Sequence, residues 1–206
     1  MPDPHAAKPM DTSVAAYANR LQALESAWWR RAFNVQAPYR RRIKATVSGP
    51  TLEIGCGLGR LLQALPPGSV GVDHNAESVA VARSRGLSAY VPDEIERLPQ
   101  PDGGFSTILC AHVLEHMSRD DGVALLRTYA PYARPGARLV LITPQQAGWR
   151  KDPTHVRFVD HDDLAALALT VGAVEDHRDS FPFPAVVGHV FPYNEFILVA
   201  HLPTEP

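Results

Sequence analysis

The chain has 206 residues, 45% of them hydrophobic, with a formal net charge of −2 at pH 7 and a sequence pI near 6.5. That length and apolar content fit one globular domain with a substantial core and exclude wholesale disorder. The near-neutral charge excludes a protein built mainly to hold polyanions.

In chain order, residues 1–11 (MPDPHAAKPMD) read as a flexible, proline-rich tail without the apolar stretch of a secretory signal. Residues 12–48 read as an N-terminal helical segment, an acceptor lid or a cap. Val14, Tyr17, Leu21, Leu24, Trp28 and Ala32 recur at helical spacing, and Thr12 or Ser13 can cap the start. Trp28, Trp29 and Phe33 either pack this helix or wall a lid. The basic run YRRRIK (39–44) reads as the solvated face of a short helix, with a nucleic-acid patch as the weaker alternative.

Residues 49–206 alternate short apolar strands with helices. Strands are predicted at TLEIG, SVGVD (69–73), SAYV (88–91), FSTILC (105–110), ARLVLIT (137–143), AVEDHRDSF (173–181) and NEFILVAHL (194–202). Helices are predicted through Leu61, Leu62 and Leu65, over AESVAVARSRG with Gly86 as C-cap, from Ser118 and Asp121 to about Arg134, and over HDDLAALALTVG behind Asp160. Such alternation predicts a doubly wound α/β fold, mostly parallel, with ligands beyond the C-terminal strand ends. The two cysteines, Cys56 and Cys110, do not look like a disulfide framework, and no apolar run is long enough to span a membrane. A soluble cytoplasmic protein is expected.

LEIGCGLGR (52–60) is the strongest local signal. Gly55, Gly57 and Gly59 follow a strand at a turn where backbone approaches a ligand closely. The third glycine comes two residues after the second, whereas the dinucleotide fingerprint places it three after, and Glu53 suits a cationic ligand end better than a pyrophosphate. Asp73, ending the second strand, can accept both ribose hydroxyls. The ligand read from these residues is a nucleoside without phosphate.

At this point the chain resembles the class I S-adenosylmethionine-dependent methyltransferases of types 11 and 12, over about residues 50–202. The resemblance rests on EIGCGLG, on the acidic end of GVD, on EIERLPQPDGGFSTILCAHVLEHM and on YAPYARPGARLVLITP. It implies a Rossmann-like sheet of seven strands with the last antiparallel. It implies that Glu53, Gly55, Cys56, Gly57 and Gly59 surround the methionine end of the cofactor. It also implies that Asp73 and His74 lie at the ribose, Glu94 and Ile95 at the adenine, and His112 beside the cofactor. Glu94 stands where the family commonly has Asp.

AHVLEHM (111–117) follows the fourth strand. If a helical turn begins there, His112, Glu115 and His116 share one face. His155, in the loop after the fifth strand, is the expected partner, while His161, His177, His189 and His201 default to structural or surface roles. The Glu115-His116 pair with a later His is similar to magnesium-supported O-methyltransferases acting on ubiquinone precursors or on small-RNA ends. Those families usually carry a glutamate where this chain has His112. RKDPTHVRFVDHDDL further resembles a loop of saccharide methyltransferases. Together these imply an S-adenosylmethionine-dependent O-methyltransferase with Glu115, His116 and His155 as catalytic or metal-holding residues, and Mg²⁺ or another divalent cation as a second cofactor. The expected acceptor is a small molecule or saccharide, most specifically a mannoside of methylmannose polysaccharide synthesis, and Trp149, Phe158, Phe181 and Phe183 either line a sugar platform or pack. A phenol or quinone acceptor, a non-catalytic nucleoside-binding regulator and RNA methylation are the alternatives. A homodimer is the assembly considered, with no membrane partner and no nucleic acid.

Overall fold

Seven strands form one mixed sheet in the computed structural model, which describes residues 37–204. The expected tail, the expected helix through Val14 to Ala32 and the aromatics Trp28, Trp29 and Phe33 lie outside the described residues. The strands are β1 (Thr51–Ile54), β2 (Val70–Val72), β3 (Ala89–Tyr90), β4 (Phe105–Ala111), β5 (Ala133–Pro144), β6 (Val174–Phe181) and β7 (Glu195–His201). Their order is β3-β2-β1-β4-β5-β7-β6. β1 to β5 pair in parallel, whereas β7 runs antiparallel between β5 and β6. The doubly wound fold with an antiparallel last strand is thus as expected. The strand order switches sides at β1, with β2 on one side and β4 on the other, so β1 and β4 open a crevice at their C-terminal ends.

Among the described residues five α-helices flank the sheet: α1 (Ala37–Thr46), α2 (Ala76–Ser84), α3 (Arg119–Tyr129), α4 (Gln146–Trp149) and α5 (His161–Leu169). The central strands are apolar on both faces, and their alternation feeds two cores. Ile108 and Cys110 of β4, Leu139 and Leu141 of β5 and Leu198 of β7 face Leu126 of α3 and Leu164 and Leu167 of α5. Leu109, Val140, Ile142, Ile197 and Val199 face the other way, onto Ile43 of α1 and Val47 just beyond it. The basic run therefore lies on an amphipathic helix: Ile43 is fully buried while Arg42 pairs with Asp179. Among the described residues no helix is long and apolar enough to cross a membrane.

Three expectations are corrected. No α-helix follows the glycine loop; turns lead to a short 3₁₀ turn at Leu62–Ala64, because Pro66 and Pro67 close off further helix. α3 stops at Tyr129 instead of reaching Arg134. Pro131 breaks it, and Ala133 already pairs with Phe105 at the start of β5. The third correction concerns His112 and is taken up with the site.

Gly55 shows how tightly the loop is fitted. Its φ is +75°, and a Cβ there would lie 2.2 Å from Cγ2 of the stiff side chain Val113. Gly55→Ala should lower stability by about 2–4 kcal/mol, from left-handed strain plus overpacking. Thermal melting checks this, and an unchanged midpoint would contradict it.

Candidate functional site

The loop after β1 is held from the second strand. The Gly57 N–H donates to Asp73 Oδ2 at 2.7 Å, and the Asn75 N–H donates to Asp73 Oδ1 at 2.8 Å. A carboxylate has about four lone-pair sites, so each Asp73 oxygen keeps one for a ligand hydroxyl. Gly57 has φ +51°, and a Cβ there would meet no protein atom within 4 Å. The backbone is therefore bare where a ligand would lie against it. Gly59 instead serves packing, since a Cβ there would strike Leu87 at 2.3 Å.

Glu53 is 3% exposed, and its Oε2 has no hydrogen-bond partner among the described residues. Burial and the nearby Asp73 carboxylate raise its pKa well above the usual range, opposed by a hydrogen bond from the Leu62 backbone. A cation at this place would relieve that cost.

The other residues named for the cofactor are placed less uniformly. The Cys56 side chain turns into the core beside Gly71, and burial raises its thiol pKa, so only its backbone faces the loop. His74 is 94% exposed, with Nδ1 3.6 Å from Asp73 Oδ1. Glu94 caps its own 3₁₀ turn by accepting from the Val91 N–H at 3.1 Å, and it pairs with Arg83, which holds its carboxyl below the usual range. Ile95 packs against the main core.

At the end of β4 the structure separates what one helical face would have kept together. His112 has φ +58°, a left-handed conformation costing roughly 1–2 kcal/mol in a non-glycine residue. Only Leu114–His116 form a 3₁₀ turn. His112 therefore points away from His116. Its Nε2 lies 2.7 Å from Glu195 Oε1 and its Nδ1 3.4 Å from Glu115 Oε1.

His116 turns instead to His155, with ring centroids 4.8 Å apart. The cause is a backbone stitch: the Glu115 carbonyl accepts from the Val156 N–H at 2.8 Å and the Arg157 N–H at 3.1 Å. That joins the loop after β5 to the turn after β4. Potential ligand atoms of Glu115, His116 and His155 then lie within 4.8 Å of one another. Both Glu115 carboxylate oxygens are buried without a hydrogen bond. His155 Nδ1 is 2.7 Å from the Trp149 carbonyl, which can only accept, so Nδ1 carries the proton and Nε2 has a free lone pair. His116 Nδ1 is 3.3 Å from the Thr154 carbonyl, which fixes the same tautomer. At Asp152 burial disfavours the charge, but hydrogen bonds from the Thr154 hydroxyl and N–H, helped by electrostatic attraction to His155 and His116, hold the carboxyl below the usual range.

Burial disfavours charge on His112 too, but Glu195 and Glu115 outweigh it and raise the imidazole pKa well above its ordinary value. Because the folded pKa is the higher one, this pairing stabilises fully below about pH 6.5 and is lost as pH rises through the raised folded value. The melting advantage of wild type over His112→Gln should therefore shrink with rising pH above neutrality. An advantage that grows with pH would contradict the pairing.

The remaining histidines have structural company or none. His161 Nε2 is 2.8 Å from the Asp179 carbonyl, His201 Nδ1 is 2.6 Å from Asp176, and His177 and His189 are exposed. Trp149 and Phe158 pack edge to face at 5.9 Å, and Phe158 meets Phe196 at 6.1 Å. Phe183 is 46% exposed.

Two site residues are absent from the sequence reading. Glu195 opens β7, and antiparallel pairing sets it opposite Pro144 at the C-terminal end of β5. Tyr39, from the basic run, has its ring 6.3 Å from His112 and a buried hydroxyl without a partner. An acidic residue at the first position of a final antiparallel strand was the available signal for Glu195.

Residues 52–141 match the family described as "Methyltransferase domain". No match is found among curated protein sequences. Among solved structures, the chain is similar to an S-adenosylmethionine-dependent methyltransferase from Archaeoglobus fulgidus. Identity is 19%, covering 84% of this chain and 98% of that one, with a TM-score of 0.60. It is similar to one from Thermotoga maritima at 17% identity, covering 90% of this chain and 98% of that one, with a TM-score of 0.66. It is also similar to magnesium protoporphyrin IX methyltransferase from Synechocystis PCC 6803, determined with bound S-adenosylhomocysteine. Identity there is 17%, covering 90% of this chain and 84% of that one, with a TM-score of 0.54. At these identities the structural likeness is one of fold. The segment that matches a methyltransferase domain and the structural likeness together give the chain the fold of the class I S-adenosylmethionine-dependent methyltransferases.

Proposed function

We propose that the chain transfers a methyl group from S-adenosylmethionine to a hydroxyl of a small molecule or saccharide, with a mannoside as the most specific acceptor. The observation that carries this reading is the meeting of Glu115, His116 and His155 at the strand ends next to the glycine loop. A hydroxyl needs help losing its proton, and a carboxylate with two imidazoles is suited to give it.

The cofactor, when bound, supplies an electrophilic methyl on a sulfonium. The bare backbone of Gly57 and the remaining lone pairs of Asp73 fit a nucleoside, and the orphaned Glu53 oxygen fits an ammonium. Glu94 and Ile95 would flank the adenine.

Glu115, His116 and His155 would hold a divalent ion, which would lower the pKa of the acceptor hydroxyl. Two imidazoles with one carboxylate suit Mn²⁺, Co²⁺ or Zn²⁺ at least as well as Mg²⁺. The same tautomers also serve a direct proton transfer. The unprotonated Nε2 of His116 or His155 would take the proton that the acceptor hydroxyl gives up on methylation. His112, tied between two carboxylates, is the poorer base and acts as a positioning residue for Glu115. The test is a screen of hydroxyl acceptors, with mannosides and catechols as the first two groups, read by release of S-adenosylhomocysteine. Product from mannosides supports the reading; product only from amines or thiols overturns it.

A further inference from the structure

The sheet edge where β4 and β5 end and β7 begins carries more hydrogen-bonding capacity than the described residues use. Among the described residues, buried oxygens of Tyr39, Glu53, Glu115 and Glu195 have no hydrogen-bond partner. Glu115 is only 1% exposed and Glu195 13% exposed, so solvent does not satisfy them. They form one neighbourhood: burial raises the Tyr39 phenol pKa, and Glu195, Glu53 and Glu115 add to it in that order. Among the described residues His112 is the cationic group set against them, with Nε2 2.7 Å from Glu195 Oε1 and Nδ1 3.4 Å from Glu115 Oε1. Unsatisfied buried acceptors are costly, and several facing one another are tolerated where a donating ligand completes them.

Their positions divide the work. Glu53 lies at the glycine loop, on the cofactor side. Glu115 belongs with His116 and His155. Tyr39 Oη and Glu195 Oε2 are left. Tyr39 is held by Phe181, 6.4 Å away between ring centroids, and Glu195 is fixed through its other oxygen by His112.

We propose that Tyr39 and Glu195 recognise the acceptor, and that the acceptor presents hydroxyl or ammonium donors and carries no anionic group beside the methylated position. This rests on the O-methyltransferase reading above and narrows its substrate class. With His112 offsetting part of the charge of Glu195, a carboxylate or phosphate about 6 Å from Glu195 and Glu115 would still meet net repulsion, worth on the order of tenfold in affinity. An ammonium there gains instead, and a hydroxyl donates at no charge cost.

The test uses three probes of one skeleton: methyl α-mannoside, its 6-amino-6-deoxy derivative and the corresponding uronide. Each is titrated into the full-length protein saturated with S-adenosylhomocysteine, with binding followed by ligand-observed NMR. The neutral and ammonium probes should bind, with the uronide at least tenfold weaker. Glu195→Gln should narrow the gap between the ammonium probe and the uronide about tenfold or more. Tyr39→Phe, which keeps the ring against Phe181, should weaken the neutral probe about three- to tenfold. Uronide binding as tight as the neutral probe, a gap unchanged in Glu195→Gln, or binding of none of the three would overturn the proposal. Failure of the underlying methyltransferase reading is separate and visible beforehand, as a protein that does not take up S-adenosylhomocysteine.

Discussion

Asp73→Ala should weaken S-adenosylhomocysteine binding about 100-fold or more. The carboxylate already accepts the Gly57 and Asn75 N–H groups, and its remaining lone pairs are the ones offered to the ribose hydroxyls. Two hydrogen bonds to a charged acceptor are worth about 3 kcal/mol or more together, which is the stated loss in affinity. Alanine also leaves the two loop N–H groups without their acceptor, so the folded loop should loosen. Calorimetry measures the affinity, and thermal melting reports the loop separately. Affinity within threefold of wild type in a protein that melts normally would remove Asp73 from the site.

Glu115→Ala, His116→Ala and His155→Ala should each lower turnover by about 100-fold or more while leaving S-adenosylhomocysteine affinity within a few-fold. The expectation follows from their grouping and from the fixed tautomers of both rings. Chelation separates the two chemistries. If an ion is held there, EDTA abolishes turnover, Mn²⁺ or Mg²⁺ restores it, and Glu115→Ala is as damaging as His116→Ala. If a histidine takes the proton directly, EDTA changes nothing and the rate falls at acid pH as the imidazole becomes protonated. Full activity in a His116→Ala, His155→Ala double variant would sink both.

Local patterns carried the legible part of this protein. Gly55, Gly57 and Gly59 sit after β1 with positive φ, and Asp73 caps β2 against them, because strand, turn and acidic end lie within one short stretch of chain. Most of the strands were readable for the same reason, as apolar runs bounded by turn residues, whereas β6 (VEDHRDSF) is largely charged and was read from its place between turns. The meeting of His116 with His155 followed from neighbouring parallel strands releasing their loops at one edge.

What sequence did not reveal depends on contacts far along the chain. Spacing suggested that His112 shares a face with His116, but its partner Glu195 lies 83 residues away and holds it in the left-handed region. Glu195 itself reaches the site only because β7 enters antiparallel beside β5. Tyr39 is hidden in a run whose charges draw attention to its solvated side. Pro66 and Pro67 were the overlooked local cue, and they account for the short turn after the glycine loop.

The central claim is that the glycine loop and Asp73 form a cofactor site for S-adenosylmethionine. Calorimetric titration of the full-length chain with S-adenosylmethionine, S-adenosylhomocysteine and NAD tests it most directly. Saturable binding of the first two at one per chain, with NAD much weaker, is the expected result; tighter binding of NAD, or uptake of neither sulfur-containing nucleoside, would contradict it.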